Sequence, residues 1–189
     1  MSASGPIETE IKLPVADPVT ASTLLKEHGF AVSKPRVFEA NVVFDTPSRE
    51  LRAAGCVLRV RSSELGNLLT FKGRAQRLRH KSREEIESGI SDAAAVSKVL
   101  TYLGYEQVFR YEKYRTEFGR AGESGIVTLD QTPVGCFLEI EGESAWIDRI
   151  ASELGFSEAD YETASYGSLY LRHCNSNGIE PTNMVFPAP

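Results

Sequence analysis

Three scarcities narrow what this 189-residue chain can be. It has three cysteines, Cys56, Cys136 and Cys174, widely spaced and with no CxxC pair, which argues against a disulfide framework and a thiolate zinc site. Its three histidines, His28, His80 and His173, lie too far apart for any ligand spacing, so they read as surface residues. Nowhere do about 18 apolar residues run together, and the N-terminus lacks a basic start followed by an apolar stretch. No contact with a membrane is therefore expected, and the compartment reads as cytoplasmic. Excess positive charge is missing too: 21 Lys and Arg face 26 Asp and Glu, a net charge of −5. That argues against duplex nucleic acid as a partner, and any anion site must be locally concentrated.

What is present is charge at alternate positions. In Glu8-Thr9-Glu10-Ile11-Lys12 the charged residues share one face of a strand, while Ile7, Ile11 and Leu13 share the other. The pattern returns. Arg59 and Arg61 alternate with Leu58 and Val60, and Thr70 and Lys72 with Leu69 and Phe71. Arg83, Glu85 and Glu87 share a face opposite Ile86; Lys113 and Arg115 flank Tyr114; Asp130 lies between Leu129 and Gln131; Glu139 and Glu141 alternate with Leu138 and Ile140.

A half-exposed sheet with its charges toward water accounts for any one such pair. The set is different, because its positions are nearly all Arg, Lys or carboxylate. Closing the sheet into a barrel with the apolar side outward places both signs in one lumen. An isolated buried charge costs roughly several kcal/mol unless it is paired or meets a counter-ion. Basic groups on one wall would hold a polyanion, and carboxylates without His or Cys would hold divalent cations such as Mg²⁺ or Mn²⁺.

Asp17 as N-cap and Pro18 in the first turn predict a helix that Gly29 ends. Similar signals predict helices over 91–103, 144–154 and 164–174. Strands are expected near 38–45, 55–62, 67–73, 82–88, 108–118, 125–131 and 136–142. This order is α+β with a mainly antiparallel sheet. Trp146, Tyr161, Tyr166 and Tyr170 read as residues packing outer helices on the barrel, and the basic stretch 74–83 as a solvated loop. One domain is expected over 1–175, followed by an irregular tail over 176–189.

The charged elements, taken in order, resemble the CYTH superfamily, the triphosphate tunnel metalloenzymes, which include class IV adenylyl cyclases, thiamine triphosphatases and inorganic tripolyphosphatases. The matching elements are Glu8-x-Glu10-x-Lys12, Phe44-Asp45-Thr46-Pro47, Leu58-Arg59-Val60-Arg61, Thr70-Phe71-Lys72, Arg83 to Glu87, Lys113-Tyr114-Arg115, Asp130 and Glu139-Ile140-Glu141. The resemblance covers roughly residues 7–172. It implies an antiparallel β-barrel tunnel of about eight strands with helices packed outside.

By position it implies Glu8, Glu10, Glu85, Glu87, Asp130, Glu139 and Glu141 as metal ligands for Mg²⁺ or Mn²⁺, in a site of two ions. It implies Lys12, Arg59, Arg61, Lys72, Arg83, Lys113 and Arg115 as phosphate ligands. Lys72 and Lys113 are the candidate general bases. Asp45 reads instead as the residue that makes the Asp-Thr-Pro turn. The sequence departs from the family at Val43, where members often carry a tyrosine. The expected activity is metal-dependent hydrolysis of a triphosphate. The alternatives are cyclisation of ATP or a non-catalytic polyphosphate-binding or nucleotide-binding module, as a monomer or a homodimer.

Overall fold

The structure, a computed structural model, describes residues 6–187 apart from the side chain of residue 77. Its elements run β1 (Ile7–Val15), α1 (Pro18–Glu27), β2 (Ala31–Asp45), α2 (Glu50–Ala54), β3 (Val57–Ser63), β4 (Gly66–Lys72), β5 (Gln76–Arg77), β6 (Lys81–Ile90), α3 (Ala93–Tyr102), β7 (Glu106–Gly119), β8 (Ile126–Thr132), β9 (Gly135–Glu141), α4 (Ser144–Glu153) and α5 (Tyr166–Asn177). The sheet order β1-β9-β8-β7-β2-β3-β4-β6 is closed by a further β1–β6 pairing, and the two-residue β5 hangs on β6. Every ladder is antiparallel. The expected α+β barrel is therefore observed, with eight strands in the ring.

The apolar faces point outward and are covered there. Ile11 and Leu13 of β1, Val127 and Leu129 of β8, and Leu138 and Ile140 of β9 pack against Leu25 of α1 and Ile147, Ile150 and Leu154 of the α4 region. A smaller cluster places Leu100 of α3 on Phe44 and Val60. Trp146 joins the first cluster as expected, and it explains Gly125: a Cβ there would stand 2.5 Å from the indole ring. α1 begins as the sequence predicts, with the Asp17 carboxylate accepting from the Val19 and Thr20 amides.

β2 is longer than expected. It starts at Ala31 and pairs with the far end of β7, with register shifts on either side of Lys34. Pro35 lies in that shifted stretch, and its missing N–H cannot serve a regular ladder. α2 is too short for any periodic signal. Asp45 makes its start: the buried carboxylate accepts from the amides of Thr46, Leu51 and Arg52, in keeping with its reading as a turn residue.

α5 departs from the plan. Tyr166 and Tyr170 do not pack an outer helix on the barrel; they cluster with Phe137, Phe109 and Tyr111, and Tyr166 reaches into the lumen. Among the described residues the segment after α5 has no further helix, but Met184 is fully buried against β7, bridging the Arg110 carbonyl and the Glu112 amide. Among the described residues no helix is long and apolar enough to cross a membrane.

Candidate functional site: the ionic lumen

The ladder registers show how alternation around a closed ring builds one surface. Going round the ring, Glu10 stands opposite Glu141, Lys12 opposite Glu139, Asp130 opposite Arg115 and Lys113 opposite Glu39. Asn41 then faces Arg61, Arg59 faces Thr70, Lys72 faces Glu85, and Arg83 and Lys81 return to Glu8 and Glu10. Strand parity alone thus carries every expected ligand to the inside.

Inside lies a cavity of about 970 Å³. All seven expected phosphate ligands line it: Lys12, Arg59, Arg61, Lys72, Arg83, Lys113 and Arg115. Of the expected metal ligands, Glu8, Glu10, Glu85, Glu87, Glu139 and Glu141 line it as well. Asp130 does not. It is fully buried and already holds Lys113 at 2.8 Å, Arg115 at 2.5 Å and the Tyr166 hydroxyl at 2.7 Å. Three donors thus converge on Asp130, from Lys113, Arg115 and Tyr166.

The remaining charges are paired with the opposite sign. Lys12 lies between Glu10 and Glu139, at 3.2 and 3.0 Å. Lys72 lies between Glu8 and Glu85, at 2.9 and 2.6 Å, and Arg83 is 3.5 Å from Glu8. Arg115 also bonds Glu139. Arg59 donates to Tyr111 and Thr70, both at 3.1 Å, and lies 3.6 Å from Glu87. These pairings set the acid strengths. Burial raises the Glu139 carboxyl, but Lys12, Arg115 and Lys113 outweigh it and hold the group well below the usual range. Glu10 likewise falls against its burial because of Lys12 and Lys81.

Glu141 is the exception. It has no ion pair among the described residues; burial, then Glu8, Glu10 and Glu139, push its carboxyl up to about 7. Glu8 rises too, first by burial and then by its hydrogen bond with Glu85. Carboxylates crowd where β1 meets β9, and the local cations do not neutralise all of them.

Several lumen residues escaped the sequence reading. Lys81 lines the cavity and bonds Glu10; burial pulls its ammonium down to about 8 in spite of that partner. Glu39 forms an ion pair with Arg61 at 3.2 Å and lies 3.6 Å from Lys113. The Tyr111 hydroxyl has its pKa lowered: burial raises it, and Arg59, Lys113 and Arg61 overcome the effect. Tyr166 has Lys12 and Lys113 over its ring, at 5.3 and 5.2 Å. Parity could have found the first three, since Lys81 is two residues before Arg83, Glu39 is two before Asn41 on a predicted strand, and Tyr111 is two before Lys113.

Val43 lines the cavity beside Arg59, so the position where relatives often carry a tyrosine offers no hydroxyl.

Fold and lumen together define a class: a closed antiparallel barrel with an ionic interior and its apolar core on the outside. Residues 6–166 match the family model described as the CYTH domain, and the chain belongs to that family. A Methanocaldococcus jannaschii protein named "Putative adenylate cyclase" is 30% identical over 135 residues, which are 71% of this chain and 76% of that protein. The structure of a "putative adenylate cyclase" from Vibrio parahaemolyticus is 25% identical with a TM-score of 0.75, covering 87% of this chain and 98% of that one. A Hippeastrum protein described as a "putative adenylyl cyclase" that "reveals a dominant" triphosphatase activity shares the fold, with a TM-score of 0.63 at 20% identity over 92% of this chain and 97% of its own.

Proposed function

We propose that this chain is a divalent-metal-dependent hydrolase that cleaves a phosphoanhydride bond of a triphosphate, inorganic or carried on a small organic group. One observation carries the reading: Lys12, Arg59, Arg61, Lys72, Lys81, Arg83, Lys113 and Arg115 all line a single cavity in a chain of net charge −5. Such a wall neutralises a polyanion and fixes its length and register. Arg59 and Arg61 of β3 would hold phosphate oxygens. Lys72 and Lys113, on strands either side of the β2–β3 pair, are the candidates to take a proton from the attacking group.

Glu8, Glu10, Glu139 and Glu141, with Glu85 and Glu87 on β6, are the candidate cation ligands. An all-oxygen set suits Mg²⁺ or Mn²⁺, and Glu141, crowded by Glu8, Glu10 and Glu139, is what an added cation would relieve. A bound ion would supply charge neutralisation at phosphate oxygens and a more acidic water.

A second reading, ATP cyclisation, has the relatives' names and one observation behind it. Besides the cations, Phe109, Tyr170 and Pro181 also line the cavity, apolar surface that suits an organic group. There the ribose 3′-hydroxyl would attack the α-phosphate and release pyrophosphate.

Incubation with ATP or inorganic triphosphate, with Mg²⁺ or Mn²⁺ or with chelator, separates these readings. We expect metal-dependent orthophosphate release that Glu8→Gln and Glu139→Gln abolish. Cyclic AMP with equimolar pyrophosphate would establish the cyclase instead. Triphosphate binding by calorimetry with no product under any metal would leave a binding module and overturn both.

A further inference from the structure

Lys81 belongs to none of the motif elements that mark the site, yet it is buried and lines the cavity. It opens β6 opposite Glu10 in the β1–β6 ladder, and among the described residues Glu10 is the acid its ammonium pairs with. The same oxygen of Glu10 also accepts from Lys12, 3.2 Å away. One carboxylate therefore carries two ammonium groups.

With Oε1 so occupied, Glu10 cannot give both of its oxygens to a metal ion. In keeping with this, no three acids among the described residues stand together as a ready cation site. Freeing Glu10 leaves a problem behind, because a displaced ammonium would be buried without a partner. The two lysines differ in this. Lys12 keeps Glu139 at 3.0 Å, whereas Lys81 has no second acid among the described residues. The group that can satisfy Lys81 is an anion delivered from the cavity, and the long, flexible lysine stem allows the short swing.

We propose that Lys81 is a phosphate-binding residue that guards Glu10: it holds the carboxylate in the free tunnel and passes to a phosphate oxygen when a divalent cation and a triphosphate enter together. The proposal rests on the metal-and-triphosphate reading above. Each buried charge keeps a partner throughout the exchange, so cation and triphosphate favour one another's binding.

The test compares the wild type with Lys81→Met, Lys81→Gln and Lys81→Arg in two separate measurements. Mn²⁺ binding without triphosphate is read from the free-ion paramagnetic resonance signal; inorganic triphosphate binding in chelator is read by calorimetry. Removing the ammonium should tighten Mn²⁺ binding and weaken metal-free triphosphate binding, each by about tenfold, the scale of a typical coupling. Lys81→Arg should stay near the wild type in both.

A structural role would weaken both ligands alike, and that outcome overturns the proposal. So does unchanged triphosphate binding in Lys81→Met. Lys81→Gln, which keeps a donor toward Glu10, should shift both affinities in the same directions and serves if the methionine variant does not fold. A wild type that binds neither Mn²⁺ nor triphosphate would instead overturn the proposed function itself.

Discussion

Ile11 and Lys12 are neighbours in β1 and are almost equally hidden, at 0% and 2% exposure, yet they face opposite sides of the barrel wall. Burying an isoleucine stabilises the fold by about 1.5–3 kcal/mol. Burying a lysine is unfavourable, and Lys12 is tolerated because Glu10 and Glu139 flank it closely enough to keep its ammonium more basic than an ordinary lysine's. The outside of the wall holds the protein together. The inside is a set of charges that only a closed ring can keep in balance, and its value lies in what it can bind.

Single substitutions on each face can break that contrast. Arg115→Met should have the largest effect, about 3–5 kcal/mol, because it strips a partner from buried Asp130 and from Glu139. Ile140→Ala on the outer face should cost about 2–5 kcal/mol through a cavity. Urea unfolding measures both. The outer variant should keep its turnover per folded molecule while the lumen variant loses it; equal losses would mean that the two faces are not separable.

Glu39 sharpens the comparison through pH. Burial alone would raise its carboxyl, but Lys113, Arg115 and Arg61 bring it down to about 2. A carboxyl depressed in the folded state contributes stability that is complete above its unfolded value near 4.5 and is lost as pH falls toward 2. Glu39→Gln should therefore flatten the acid limb of stability against pH by about one proton. An unchanged slope in urea titrations across that window would remove Glu39 from the network.

Most of the barrel could be read from alternation, because parity is a local property that a closed ring turns into a lumen. Lys81 was hidden by its company: Arg74, Arg77, Arg79 and His80 made its segment look like a basic loop, and the strand was expected to begin at 82 rather than at Lys81. Glu39 and Tyr111 lay on predicted strands at the correct parity but outside the paired-charge pattern. Tyr166 could not be found this way, since its reach to Asp130 depends on the path of α5 and leaves no mark on local periodicity. The long start of β2 was likewise masked, by Pro35.

The smallest expected effect runs the other way. Glu141 is crowded by Glu8, Glu10 and Glu139 with no ion pair of its own among the described residues. Glu141→Gln should raise unfolding stability in chelator by about 1 kcal/mol while abolishing metal-dependent turnover. A loss of stability would show that the crowding is already compensated.

The β1–β6 seam, residues 7–10 against 81–84, is the shortest ladder in the ring and carries the Glu8–Arg83 and Glu10–Lys81 pairs across it. The partners of β1 lie far away along the chain, in β6 on one side and β9 on the other. Local structure can form early, but β1 gains its two neighbours only by long-range closure, the slow kind of step in folding. The ladder that shuts the ring is thus also the one that brings Arg83 and Lys81 to Glu8 and Glu10, so a chain with this seam open lacks both the closed tunnel and that part of its charge network.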